Sequence, residues 1–300
     1  MQISGVCDAK KERNKQTLSN MDERNYAGSS LELNYINTPY FVICFCGFIL
    51  HSLLLYVFFK DPLKCFRNSG TILVINVAVS DFMTCLICPF YLSVKDIGWS
   101  KTLRFLVYTT ANVSIETISL ISFDRFLLVA YPMKHRYLTK GRKILICLAS
   151  IWLGSFVFPA KQVIYREQQY DQLVLNCFGV TLILVSAVMY TLTYFKLKKQ
   201  SQNIQALQNS VESRAQELRI RKEKQFLRTI LIIACIAFTC IVPSTLISTF
   251  SMYIQPSTTR IFVIIAYCMV YINYSINPLV YILRLPNYRK SFYLLYCKRG

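Results

Sequence analysis

Seven stretches of the chain are apolar and almost free of charge, and short polar segments separate most of them. Residues 33–59, 144–160, 173–195, 229–259 and 261–283 contain no Asp, Glu, Lys or Arg. Residues 68–94 contain only Asp81, and residues 105–123 only Glu116. Each stretch approaches or exceeds the roughly 20 apolar residues that cross a hydrocarbon core of about 30 Å as α-helix. Continuous runs of Leu, Ile and Val are unlike the short alternating segments of a membrane β-barrel. The pattern therefore predicts an all-α fold, a bundle of seven transmembrane helices. Residues 1–34 form a polar N-terminal tail, 35–285 the bundle and 286–300 a final segment. In that segment Phe292, Leu295 and Tyr296 share one face at helical spacing, which predicts a short amphipathic helix on the inner membrane surface. The longest connection, the third inner loop at about 198–225, is rich in Gln, Glu, Lys and Arg and lacks Gly and Pro. The helices on either side of it are expected to continue into the cytoplasm.

Charge gives this bundle an orientation. With the N-terminus outside, 23 of the 34 Lys and Arg residues and five acids fall on the cytoplasmic side, against 11 cations and eight acids outside. The positive-inside rule favours this arrangement: extracellular N-terminus, cytoplasmic C-terminus, multi-pass in the plasma membrane. The net charge of +19 would otherwise suggest nucleic acid. Here the basic residues flank helix ends and form no domain, so the basic face is expected to meet anionic membrane lipids and cytoplasmic partners. The first 32 residues lack an apolar signal region, so the first helix is expected to act as the signal.

Most of the 12 cysteines fall inside apolar spans, where thiols act as small hydrophobes. Cys85 and Cys88 have CxxC spacing but no second pair or His nearby. Cys7 and Cys177 lie on the oxidising side, where a bridge between them is one alternative and free thiols the other. The Asn-x-Ser triplets at Asn112 and Asn273 lie within spans and are expected to be unglycosylated. Cys297, at the inner surface, is a candidate for palmitoylation, with a free thiol as the alternative.

Polar groups at membrane depth are costly and mark function by default. A carboxylate at Asp81 needs a cation, a proton or several donors. Asn273 and Asn277 share a face of the seventh span and, with Ser114, could supply oxygens. A sodium ion held by Asp81, Ser114, Asn273 and Asn277 is one reading; a protonated Asp81 bonded to Asn277 is the other. Glu116 lies off the face of Ser114 and points towards a neighbouring helix. Arg125 closes the inner end of the third span beside Asp124, and Glu223 stands at the inner start of the sixth. An Arg125–Glu223 pair would tie those helices together and free them on breaking; a solvated Arg is the alternative. Pro243 and Pro278 each remove a backbone hydrogen bond and kink their helices. Tyr190 and Tyr281 could swing polar tips into an inner cavity.

These residues also match a known pattern. Asn277-Pro278-Leu279-Val280-Tyr281 reads as NPxxY, Asp124-Arg125-Phe126 stands for Asp-Arg-Tyr, and Pro132 follows at the expected place. Asn76, Asp81 and Trp152 occupy signature positions, and Cys240 with Pro243 keeps part of a CWxP motif. Over about residues 35 to 300 the chain resembles a rhodopsin-like G-protein-coupled receptor. The resemblance implies that an extracellular ligand shifts the bundle's equilibrium, that the sixth helix swings outward, and that a heterotrimeric G protein docks against Arg125. It also implies that sodium at Asp81 favours the inactive state. The chain departs from the pattern at His51, where Asn is usual, at Ile241 in place of a toggle Trp, and at Leu182 in place of Pro. The third span also lacks its outer Cys. Similar losses occur in melanocortin, lysophospholipid and cannabinoid receptors, which points to lipid or peptide ligands. Val107 and Tyr271 stand where amine-binding Asp and retinal-carrying Lys would be. Helix phase places Tyr108, Asn112, Ser248, Tyr267 and Tyr271 around an outer cavity.

Three other classes compete. A transporter or channel would run through Asp81 and Glu116, but no internal repeat or paired broken helices support one. A receptor-shaped protein that does not signal, a decoy or dimer partner, would fit the lost Trp, Pro and Cys. An enzyme would need a nucleophile, base and orienter; with His51 and His135 the only histidines, no such set is visible.

Overall fold

In the computed structural model, residues 38–64, 66, 68–94, 97–139, 142–164, 168–205, 211–250 and 256–297 are described. They form nine helices: α1 (Thr38–Lys60), α2 (Ser69–Ser93), α3 (Ile97–Ala130), α4 (Pro132–Leu138), α5 (Lys143–Ile164), α6 (Gln168–Gln205), α7 (Val211–Phe250), α8 (Pro256–Arg284) and α9 (Pro286–Tyr296). The chain divides into residues 1–42 and 43–300, and the contacts below belong to the second unit. Five helices are long and apolar enough to cross a membrane: α1, α2, α6, α7 and α8. α3 and α5 complete the seven: α3 packs against α2, α5 and α6, and α5 carries the apolar segment Lys143–Val157. α4 and α9 are the short surface helices.

α3 is the hub, touching α2, α4, α5, α6 and α7. It binds its neighbours through side-chain bonds that a hydrocarbon environment leaves without competition from water. The Trp152 indole donates to Asn76 Oδ1 at 3.0 Å, and Asn76 Nδ2 donates to Thr117 Oγ1 at 2.8 Å. One amide thus joins α5, α2 and α3, which gives the two signature residues a structural meaning. Glu116 faces Ser155 of α5, as its helix phase predicts. On the far side of α3, Ser186 donates to Ser119 at 3.0 Å and Ser119 donates to the Leu182 carbonyl at 3.3 Å.

Helix boundaries follow from capping. Asn68 accepts from the Thr71 N–H at 2.8 Å to start α2, and Pro132 and Pro286 stand in the first turns of α4 and α9, where a missing N–H costs nothing. α6 runs to Gln205 and α7 begins at Val211, so both helices project past the apolar zone into the segment expected to be the third inner loop. α9 lays Phe292, Leu295 and Tyr296 against the main core, the face anticipated from their spacing. The Tyr296 hydroxyl donates to the Leu53 carbonyl at 3.1 Å.

Candidate functional site

At the inner end, Asp124 and Arg125 sit in the last two turns of α3, and Glu223 lies one helical turn short of the apolar part of α7. Arg125 NH2 is 2.7 Å from Asp124 Oδ2, and NH1 donates to Glu223 Oε2 at 3.1 Å. The guanidinium also lies over the Phe226 ring, 4.5 Å from its centre. His135 of α4 comes within 2.8 Å of Asp124 Oδ1, so one carboxylate is shared by an imidazole and a guanidinium. Gly70 of α2 stands so close that a Cβ there would overlap Arg125 NH2. The arrangement is a lock: Asp124 of α3 and Glu223 and Phe226 of α7 hold one cation, His135 of α4 backs Asp124, and the Glu223 contact spans α3 to α7. The pair suggested by the sequence is thus formed. His135 and Gly70 were not singled out, because neither a lone His nor a lone Gly carries a pattern.

Around the lock, Gln200 donates to the Val129 carbonyl at 3.1 Å and Gln225 to the Arg284 carbonyl at 2.7 Å, tying α6 to α3 and α7 to α8. A cavity of about 350 Å³ opens beside them, lined by Leu128, Val129, Pro132, Leu197, Ile220 and Glu223 among others. Tyr190 and Tyr281 are fully enclosed in the main core, and neither hydroxyl has a hydrogen-bond partner among the described residues. Each is thus a buried donor without an acceptor among the described residues, a cost of about 1–3 kcal/mol.

Halfway along the bundle, Asn277 Nδ2 donates to Asp81 Oδ2 at 2.7 Å. The Ser114 hydroxyl faces Asp81 without closing a hydrogen bond to it. Asp81 Oδ1, Ser114 Oγ, Asn273 Oδ1 and Asn277 Oδ1 are buried oxygens without a partner among the described residues. Four unpartnered buried oxygens, one of them on the carboxylate itself, are of the kind a small hard cation takes as ligands. They form no cluster of three His, Cys, Asp or Glu side chains, and none occurs among the described residues.

His51 adds a contact that the sequence could not show. Pro278 has no N–H, so the Tyr274 carbonyl four residues earlier loses its helical partner. His51 Nε2 donates to that carbonyl at 2.8 Å, and the same nitrogen is 4.0 Å from Asp81 Oδ2. The departure at position 51 therefore keeps the bend of α8 hydrogen-bonded. Close by, a Cβ at Gly47 would overlap the Ser275 hydroxyl and fall 2.7 Å from Cys85 Sγ, so the Ser275 side chain of α8 lies directly against the α1 backbone there.

The departure at Ile241 also has a structural answer. Ile241 packs with Ile183 and Ala237, against Ile115 and Val180, so aliphatic contacts among α3, α6 and α7 fill the place of the toggle Trp. Pro243 lies inside α7 and Pro278 inside α8, as expected; Pro89 and Pro159 add interior prolines to α2 and α5.

At the outer end, Tyr108 and Tyr91 lie within electrostatic reach of each other, of Arg104 and of Tyr267. Tyr271 is buried, with the Cys88 thiol facing its hydroxyl. Tyr267 is 45% exposed, Asn112 is half-buried, and the Ser248 side chain lies outside the described ones. Arg104 and Tyr91 were not anticipated; a cation among tyrosines at the outer ends of α2, α3 and α8 is visible only once the helices are aligned. Cys177 is an exposed free thiol, Cys7 lies outside the described residues, and Cys297 is exposed at the end of α9. The candidate bridge is not present at Cys177.

A family model described as 7 transmembrane receptor (rhodopsin family) matches residues 51–177 and 168–281. The chain belongs to this family, a non-enzymatic receptor that spans the plasma membrane several times and signals generally through G proteins. Galanin receptor 2b of Danio rerio is 24% identical over 89% of this chain and 77% of its own length. The allatostatin-A receptor of Bombyx mori is 23% identical over 84% of this chain and 76% of its own length. Squid rhodopsin superposes with a TM-score of 0.72 at 16% identity, covering 90% of this chain and 88% of its own. These curated relatives are not of the melanocortin, lysophospholipid or cannabinoid kinds, and no subfamily is assigned.

Proposed function

We propose that this receptor senses an extracellular peptide and that ligand binding opens the Arg125–Glu223 lock, letting the inner end of α7 swing outward so that a heterotrimeric G protein reaches Arg125. The observation that carries the reading is the lock: one cation held between α3 and α7 at 3.1 Å, with Phe226 stacked beneath it. Such a contact is made in one state and broken in the other, as a two-state element requires. Tyr190 and Tyr281 are the unpartnered donors that the open state would satisfy, and the Pro243 and Pro278 bends are where the helices would flex. The peptide assignment rests on the relatives, which are peptide receptors; a lipid ligand has no comparable support. Tyr108, Tyr267 and the newly found Arg104 and Tyr91 offer such a ligand hydroxyls and one positive charge, suited to a carboxylate or carbonyl. Asn112 and Ser248 lie at the same level.

In this reading the N-terminus is extracellular and the C-terminus cytoplasmic, following the cation asymmetry. A sodium ion held by Asp81, Ser114, Asn273 and Asn277 would favour the closed state by supplying the charge those oxygens lack. Palmitoylation of Cys297 would pin α9 to the inner leaflet.

The test is ligand-free guanine-nucleotide exchange on a panel of purified G proteins, with wild type, Glu223→Ala and Arg125→Ala at matched surface expression. Glu223→Ala is expected to raise exchange on at least one G protein, and Arg125→Ala to change or abolish it. Flat exchange in all three, persisting after screening with peptide ligands, would instead mark a receptor-shaped protein that does not signal.

A further inference from the structure

Two lysines from different helices converge on one aromatic ring at the inner rim. Lys196 of α6 lies 4.9 Å from the centre of the Tyr131 ring and 5.5 Å from that of Phe126, and Lys134 of α4 lies 5.3 Å from Tyr131. The two ammonium groups are therefore within about 10 Å of each other, close to the Debye length of about 8 Å at physiological salt, where like charges still repel. No carboxylate among the described residues answers them. Asp124 is taken by Arg125 and His135, Glu223 by Arg125, and Glu217 by Arg221. Lys199, one turn beyond Lys196 on α6, is exposed and in no ion pair among the described residues.

Next to these lysines in the sequence, the same corner exposes large hydrophobic side chains. Phe195 is 60% and Met133 79% exposed, with Leu192 one turn above Lys196. Exposed apolar surface beside uncompensated cations is complementary to an amphiphile with an acyl chain and an anionic head. Several cations around a single ring call for more than one negative charge, which a phosphate monoester carries and a zwitterionic or singly charged headgroup does not.

We infer that Lys134, Lys196 and Lys199, set around Tyr131 at the α3–α4–α6 corner, form a binding site for an inner-leaflet lipid whose headgroup bears phosphate monoesters, with Met133, Leu192 and Phe195 receiving its chain. The inference rests on the membrane placement in the reading above but not on coupling, since its readout needs no G protein.

The experiment uses the full-length receptor in phosphatidylcholine nanodiscs, titrated with a phosphatidylinositol bisphosphate and followed by native mass spectrometry. The comparison is with Lys134→Gln/Lys196→Gln and with a charge-matched control on α7, Lys222→Gln/Lys224→Gln. Each lysine that meets the headgroup contributes about a fivefold factor in binding, so the α4/α6 double variant should bind about twenty-five-fold more weakly. The control should bind nearly as wild type, and thermal melting of each purified variant verifies that it is folded. Equal losses in both double variants would overturn the site in favour of diffuse charge. Equal binding of phosphatidylserine would overturn the phosphomonoester assignment, and equal binding of the free inositol phosphate would show an anion site with no role for the chain. Persistent binding with silent nucleotide exchange would leave the lipid site standing and count against the signalling reading alone.

Discussion

Replacing Gly70 by alanine places a methyl group where the Arg125 guanidinium now lies, and so perturbs the lock without removing any group that forms it. A Cβ at position 70 would overlap NH2 and fall 2.8 Å from Cζ. Ordinary contact begins near 3.4 Å, so the guanidinium must retreat by about an ångström, which it can do because it is the end of a flexible side chain. NH1 is now 3.1 Å from Glu223 Oε2, and a shift of that size takes it out of hydrogen-bonding range. A hydrogen bond to a charged group contributes about 1.5–3 kcal/mol. Glu223 is 24% exposed, so the lower end applies, and about 1.5 kcal/mol corresponds to roughly a tenfold shift in the closed-to-open ratio. The Asp124 contact lies within α3 and its loss changes that ratio little. Alanine is no worse than glycine in a helix, so the fold should be unaffected. The assay is ligand-free nucleotide exchange beside a thermal melt. Gly70→Ala is expected to raise exchange about tenfold with an unchanged melting temperature, and Gly70→Ala/Glu223→Ala to exceed Glu223→Ala by little, because both act on one contact. Exchange equal to wild type, or fully additive effects, would refute the argument that Gly70 seats the arginine.

Trp152→Phe removes the donor to Asn76 Oδ1 while keeping most of the ring. Interhelical bonds of this kind average about 0.6 kcal/mol and reach about 1.7, so a melting temperature lower by a few degrees is expected, with Asn76→Ala costing roughly twice as much because it loses Thr117 as well; equal melts would contradict the shared-amide arrangement. Sodium chloride should raise the wild-type melting temperature relative to choline chloride, and Asp81→Asn should abolish the difference. A sodium effect that survives in Asp81→Asn would place the cation elsewhere.

The seven spans were legible because membrane helices must be apolar along a fixed length, and the amphipathic α9 because Phe292, Leu295 and Tyr296 recur at helical spacing. Asp81, Asn277, Arg125 and Glu223 stood out because charge and amide groups are costly in hydrocarbon, and the structure joins them as pairs. What composition and spacing hid were contacts set by the relative rotation of helices. His135 reaches Asp124 only because α4 folds back under α3. Gly70 matters only because α2 passes within a methyl group of Arg125. Arg104 looked like an outer-loop cation until α3 carried it beside Tyr108. Likewise the thiol of Cys88 facing the Tyr271 hydroxyl could not be read from the phase of either helix alone.

The bond from His51 to the Tyr274 carbonyl restricts what position 51 can become over evolutionary time. Pro278 leaves that carbonyl without a backbone donor, so the site selects side chains that carry an N–H at the right reach. An amide and an imidazole both qualify, whereas Leu or Val of similar bulk would strand a buried acceptor. A change between His and another donor at position 51 is therefore coupled to the proline on another helix. A lineage that lost Pro278 would release the constraint, and residue 51 should then wander into the aliphatic repertoire of its neighbours.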